Sequence, residues 1–141
     1  MSGNSKQDIA ERAWRHMFNF LIATAPLRNE SLSKRNLTPN DSRALNFLDR
    51  APGHPLSTLA REWGCDPSNA TAIVDRLERA GLAERKPLES DRRVKLVVLT
   101  AHGAAVKEQL MAEFRVPPPQ LLTLTRVELE ALDRILAKLE S

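Results

Sequence analysis

Apolar residues recur at three- and four-residue spacing along most of this chain, and that period predicts a mainly helical protein. The first stretch runs from about Gln7 to Ser33, with Ile9, Ala13, Met17, Phe20 and Leu21 on one stripe. Pro26 lies inside it and is expected to kink or divide the helix, because proline lacks a backbone donor and crowds the preceding turn. A second helix is expected to start near Thr38 as N-cap, with Pro39 at the first helical position. Leu45 and Leu48 mark its buried side, and Ala51-Pro52-Gly53-His54-Pro55 ends it. Ser57 is expected to cap a short third helix carrying Leu59, Ala60 and Trp63, closed by Gly64. Asp66 is expected to cap and Pro67 to take the first turn of a fourth helix, whose stripe Ala70, Ile73, Val74 and Leu77 runs to Ala80, where Gly81 stops it. Two helices joined by the turn Gly64-Cys65-Asp66 make a helix-turn-helix.

The period then changes. Leu82 to Leu88 reads as an extended arm, Glu89-Ser90-Asp91-Arg92-Arg93 as a polar turn, and Val94 to Leu99 as a β-rich second arm. Thr100 caps a fifth helix, Ala101 to about Val116, which Pro117-Pro118-Pro119 ends. A sixth helix, roughly Thr125 to Glu140, carries Leu129, Leu132, Ile135, Leu136 and Leu139. The expected fold is mainly α with a small β-wing: a winged helix-turn-helix of about six helices plus a hairpin. Leu121, Leu122 and Leu124 add to the apolar crowd of the last quarter, more than a small lobe can cover. An exposed patch of that kind drives association, so a homodimer is expected. The expected organisation is residues 1–36 as an N-terminal dimerisation helix, 37–100 as the winged lobe and 101–141 as C-terminal dimerisation helices.

Composition narrows the class. The chain has 141 residues, 42% hydrophobic and 28% charged, with only 4% aromatic and no tyrosine, so its core must be aliphatic. No stretch approaches the ~20 apolar residues of a membrane span, and Met1 to Asp8 is polar, so a cytoplasmic protein is expected. The single cysteine, Cys65, rules out an internal disulfide framework. The formal net charge is +3. The segment Arg76–Lys95 holds seven basic and four acidic residues, so it carries the whole excess, as a phosphate-binding patch would.

The outer side of the fourth helix presents Ser68, Asn69, Thr71, Ala72, Asp75, Arg76 and Arg79. Short polar groups in the first turn of a helix can reach base edges in the major groove, and the N-terminal N–H groups suit phosphate. Arg76 is the first candidate for a guanine or phosphate contact. On the hairpin tip, Arg92 and Arg93 can reach phosphates or enter the minor groove. Asp91 is expected to orient a neighbouring arginine through a bidentate pair. Cys65 reads as a turn residue rather than a redox sensor. His16, His54 and His102 are scattered without metal-ligand spacing. No catalytic constellation, phosphate-cradling glycine loop, metal or cofactor is expected.

The run Asp75-Arg76-Leu77-Glu78, Gly81-Leu82, Glu84-Arg85, Ser90-Asp91-Arg92-Arg93, Leu96, Leu99-Thr100 and Gly103 resembles the multiple antibiotic resistance regulator (MarR) family, and the resemblance extends from about Ala13 to Leu139. It implies a winged-helix dimer whose first and last helices interlock with those of the partner chain. Ser68, Asn69, Thr71, Ala72 and Arg76 then become recognition-helix positions, Arg93 the wing arginine, and Asp91 its supporting acid. Ser57 and Thr58 fall where the preceding helix meets backbone phosphate. A small aromatic effector is implied, with Trp14, Met17, Phe18, Ile22, Phe47 and Trp63 as candidate lining residues that core packing explains equally. Ala72 departs from the larger or basic residue common there, and the proline run is expected to alter the dimer's shape.

The leading reading is a sequence-specific dimeric regulator, a repressor, on a pseudo-palindromic duplex. The rival is a winged-helix interaction module that binds protein, suggested by the modest charge and the acids on the recognition face. An enzyme is a distant third.

Overall fold

The computed structural model describes residues 3–140. Among these the elements run α1 (Lys6–Ser33), α2 (Pro39–Phe47), β1 (His54–Pro55), α3 (Leu56–Glu62), α4 (Pro67–Arg79), β2 (Ala83–Leu88), β3 (Asp91–Leu99), α5 (Ala101–Phe114), a 3-10 turn (Pro119–Thr123) and α6 (Arg126–Leu139). The chain is thus mainly α with a small antiparallel sheet, in the order β1-β3-β2. It forms two compact units, one from residues 29–113 and one from described residues up to 28 together with those from 114 on.

In the 29–113 unit the core is aliphatic. Leu45 from α2 and Leu48 at its C-cap, Leu59 from α3, Ala70, Val74 and Leu77 from α4 and Val97 from β3 are almost wholly removed from solvent. Each fully buried leucine of this kind contributes roughly 1.5–3 kcal/mol. The helix-turn-helix is set by its connecting turn. Gly64, at φ +63°, follows the C-cap Trp63, and the Gly64 and Cys65 amides donate to the Arg61 and Ala60 carbonyls at 3.2 and 3.0 Å. That pair of bonds is the Schellman closure of a helix, and it leaves only Cys65 before Asp66 begins the next one.

Three local details differ from the sequence reading. Ser57 lies inside α3, whose N-cap is Pro55, so it does not cap. The loop after α2 contributes a third strand, β1, with His54 opposite Val97 and Pro55 opposite Leu96. A two-residue strand rich in proline has no periodicity to read. β3 also starts earlier than expected, at Asp91, because Leu88 pairs with Asp91 across the short turn Glu89-Ser90. The register then jumps, Pro87 facing Lys95, so Arg92, Arg93 and Val94 bulge with no partner on β2. Proline has no N–H to give a ladder, which suits Pro87 to the place where pairing breaks.

α1 is not divided at Pro26; the helix runs through it. Side chains serve the preceding turn: Thr24 Oγ1 donates to the Phe20 carbonyl at 2.8 Å and Arg28 Nη2 to the Leu21 carbonyl at 2.7 Å. In the unit made by the two ends of the chain, α6 has no buried residue, and Ile9, Trp14, Phe18, Leu21 and Ile22 of α1 are exposed, as are Val127, Ile135 and Leu139 of α6. A shallow cavity of about 450 Å³ lies there between Met17, Phe20 and Leu21 and the opposing Leu121, Leu132 and Leu136.

Candidate nucleic-acid interface

Helix caps separate α4 from the other long helices. Ser5 with Asp8, Thr38 with Asp41, and Thr125 with Glu128 form reciprocal capping boxes on α1, α2 and α6, and Thr100 Oγ1 accepts from the Gly103 amide on α5. The Thr125 amide and hydroxyl hold the Glu128 carboxyl below its ordinary pKa. α4 begins at Asp66-Pro67, but the Asp66 side chain makes no cap bond. The first-turn N–H groups of α4 are therefore served by no capping side chain, and Ser68 and Asn69 beside them are exposed. Ala72, Arg76 and Arg79 are exposed further along. Thr71 is half-buried, its hydroxyl donating to the Pro67 carbonyl at 2.9 Å. Ser57 and Thr58 sit in the first turn of α3, Ser57 exposed and Thr58 half-buried.

Two arginines that the charge count treats as free are engaged within the protein. Arg76 Nη2 pairs with Asp41 Oδ1 and donates to Thr38 Oγ1 at 3.2 Å, so α4 is tied to the capping box of α2. Arg85 on β2 pairs with Asp75 Oδ1 at 2.9 Å and with Glu78, which fastens the wing to α4. Lys86 pairs with Glu84 at 3.3 Å. Arg79, Arg92 and Lys95 make no ion pair among the described residues. They are the unneutralised cations of the segment.

On the wing, Asp91 grips Arg93. Arg93 Nε and Nη2 donate to the two carboxylate oxygens at 3.0 and 3.2 Å, and the Arg93 amide donates to Oδ1 at 3.1 Å. These bonds hold the Asp91 carboxyl below the usual range and raise the Arg93 guanidinium further. The Arg93 side chain is nevertheless 90% exposed, so its guanidinium stands in solvent with a fixed direction. Arg92 is exposed beside it.

The aromatic residues have separate surroundings. Trp14 and Phe18 form a tilted pair 6.0 Å apart on α1, and Met17 lines the cavity of its own unit. Phe47 packs on the His54 ring at 4.8 Å. Trp63 lines an open groove of about 350 Å³ with Asn40, Arg43, Cys65, Asn69 and Ala72, and its buried Nε1 has no acceptor. Cys65 is half-buried and unbridged. No group of histidine, cysteine and acidic side chains able to hold a metal occurs among the described residues. No helix there is long and apolar enough to cross a membrane.

Sequence reasoning passed over Asp41, which is almost completely buried and anchors Arg76. The signal was available in part, since Thr38 and Asp41 stand at capping-box spacing. It also passed over Lys107, whose ammonium donates to the Asn46 and Leu48 carbonyls at 3.1 and 2.8 Å and closes the end of α2.

The family model described as MarR family matches residues 35–94. The chain is 32% identical over 111 residues to the HTH-type transcriptional repressor MdtR of Bacillus subtilis (strain 168), spanning 78% of this chain and 72% of that protein. The YusO protein from Bacillus subtilis matches its fold with a TM-score of 0.78 at 27% identity, over 97% of this chain and 98% of that one. Wild-type MarR from E.coli in its apo form gives 0.68 at 32% identity, over 90% and 94%. With the fold, the arginine-tipped wing and these likenesses in agreement, the chain belongs to the MarR family of winged-helix transcriptional regulators and is not an enzyme.

Proposed function

We propose that the protein is a homodimeric repressor that binds a pseudo-palindromic duplex site in a sequence-specific manner. The observation that carries this reading is the first turn of α4: uncapped by any side chain, exposed, and continued by Ala72 and Arg76 on the helix beyond Ser68 and Asn69. Such a turn offers N–H donors and short side chains to phosphates and base edges in a major groove. Thr71 joins Ser68 and Asn69 as a recognition-helix position, and Ser57 and Thr58 at the start of α3 serve as backbone contacts. Arg92 and Arg93 reach the adjacent minor groove, Arg93 being aimed by Asp91. The name of the relative MdtR supports repression as the mode of action.

Dimerisation accounts for the uncovered apolar side chains of α1 and α6. In this reading residues 1–36 and 101–141 join the two copies, and 37–100 form the DNA lobe. A twofold axis then sets two α4 helices about one helical turn of DNA apart, roughly 34 Å. Control by a small aromatic effector belongs to the same reading. Met17, on the apolar cavity of the unit made by the chain ends, is its candidate contact, and the effector acts only if it favours one spacing of the paired α4 helices. The protein works in the cytoplasm, on DNA.

Titration of duplex DNA at several salt concentrations tests the proposal. The logarithm of affinity should fall by roughly 0.9 per neutralised phosphate for each log unit of salt. Arg93→Gln should weaken binding and flatten that slope. Salt-insensitive binding, or none, would instead favour a protein-binding module.

A further inference from the structure

We infer that Asp41, on α2 and outside the expected DNA-contacting surface, determines specificity by denying Arg76 a two-point contact to guanine or phosphate; the inference rests on the DNA-binding reading above. The Asp41 side chain is 4% exposed, whereas that of Arg76 is 47% exposed. Asp41 Oδ2 accepts the Thr38 amide at 2.9 Å, and Oδ1 takes Arg76 Nη2. The same Nη2 donates to Thr38 Oγ1 at 3.2 Å, so both of its protons are committed.

The consequence follows from the shape of a guanidinium. A bidentate contact to guanine needs two neighbouring donors on one edge, and both such edges include one shared nitrogen. In Arg76 that nitrogen is Nη2, and it is occupied. What remains, Nη1 and Nε, gives single-point contacts only. Arg76 therefore places α4 against α2 and offers DNA only isolated, single-point donors. The tie holds because a buried carboxylate stripped of its partner is costly, so a solvated phosphate has no advantage in taking Arg76 away.

Releasing Arg76 should add a phosphate contact to every duplex and blunt the choice among them. Asp41→Asn does this while keeping an acceptor for the Thr38 amide and turning an N–H₂ toward Arg76. Binding is measured on a duplex selected from a random pool and on a shuffled duplex of the same composition, each across a salt series. Asp41→Asn should bind the shuffled duplex more tightly, with a salt slope steeper by about 0.9, and lose about tenfold in discrimination. The double variant Asp41→Asn/Arg76→Ala should return the slope to the wild-type value. Equal weakening on both duplexes with an unchanged slope would overturn the inference and leave Asp41 a cap residue alone. If Asp41→Asn does not fold, the guanidinium ¹⁵N–H signals of Arg76 in the wild type decide. Retention of protected Nη2 protons on the selected duplex supports the tie, and their loss overturns it. A wild-type chain that ignores all duplexes overturns the DNA-binding reading, and this inference with it, before any variant is compared.

Discussion

Replacing Gly103 by alanine should destabilise the protein, although alanine is the better helix former. Gly103 is the third residue of α5. A Cβ built there would stand 1.8 Å from the Leu82 carbonyl oxygen and 2.7 Å from its carbon. Carbon and oxygen in contact normally lie about 3.3–3.6 Å apart, so the start of α5 must retreat by roughly 1.5 Å. Leu82 O is also the acceptor of the Thr100 amide at 3.0 Å, and Thr100 Oγ1 donates to the Gly81 carbonyl at 2.6 Å. Both bonds stretch if α5 moves. Overpacking costs about 1–3 kcal/mol, and each hydrogen bond about 1 kcal/mol. The gain in helix propensity offsets about 1 kcal/mol. The net loss is about 2–4 kcal/mol, or a Tm lower by roughly 6–12 °C at fixed protein concentration. Ala105→Gly on the exposed side of α5 calibrates the propensity term. A Gly103→Ala protein as stable as the wild type, or more so, would refute the close crossing of α5 over Leu82.

Three further outcomes follow from other contacts. Arg35 chiefly, then Ser31, hold the Glu113 carboxyl down from 4.5 to about 2. Its stabilisation is therefore complete above the unfolded pKa and lost as pH falls through this window, so Glu113→Gln should lose less stability between about pH 5 and pH 3 than the wild type in thermal melts; equal losses would contradict the assignment. Lys107→Met leaves the Asn46 and Leu48 carbonyls without their ammonium partner and should cost about 1–2 kcal/mol in denaturant unfolding. Asp91→Asn keeps the Arg93 charge but frees its direction, so binding to a selected duplex should weaken less than in Arg93→Gln, at an unchanged salt slope.

The helices were legible because their signals are local. The stripe Ala70, Val74 and Leu77 is buried, and Thr38, Thr100 and Thr125 cap where hydroxyl-bearing residues should. The position of the wing was equally plain, since β-rich residues flank a polar turn. What stayed hidden depends on partners distant in sequence. Asp41 and Arg76 are 35 residues apart, and Lys107 closes a helix about 60 residues before it. Charge counting alone could not separate the tethered Arg76 and Arg85 from the unneutralised Arg79 and Arg92. β1 escaped because a strand of two residues, one a proline, is defined only by what β3 offers it. Ser57 misled because its hydroxyl type suits a cap, while the chain enters α3 two residues too early for it, at the N-cap Pro55.

The central claim is that two copies of the chain present paired α4 helices to successive major grooves. Selection from a random duplex pool tests it most directly. The account predicts that the winning sequences carry an inverted repeat with half-site centres about one helical turn, 10–10.5 base pairs, apart. Enrichment of a single unrepeated half-site, or of no sequence at all, would contradict it.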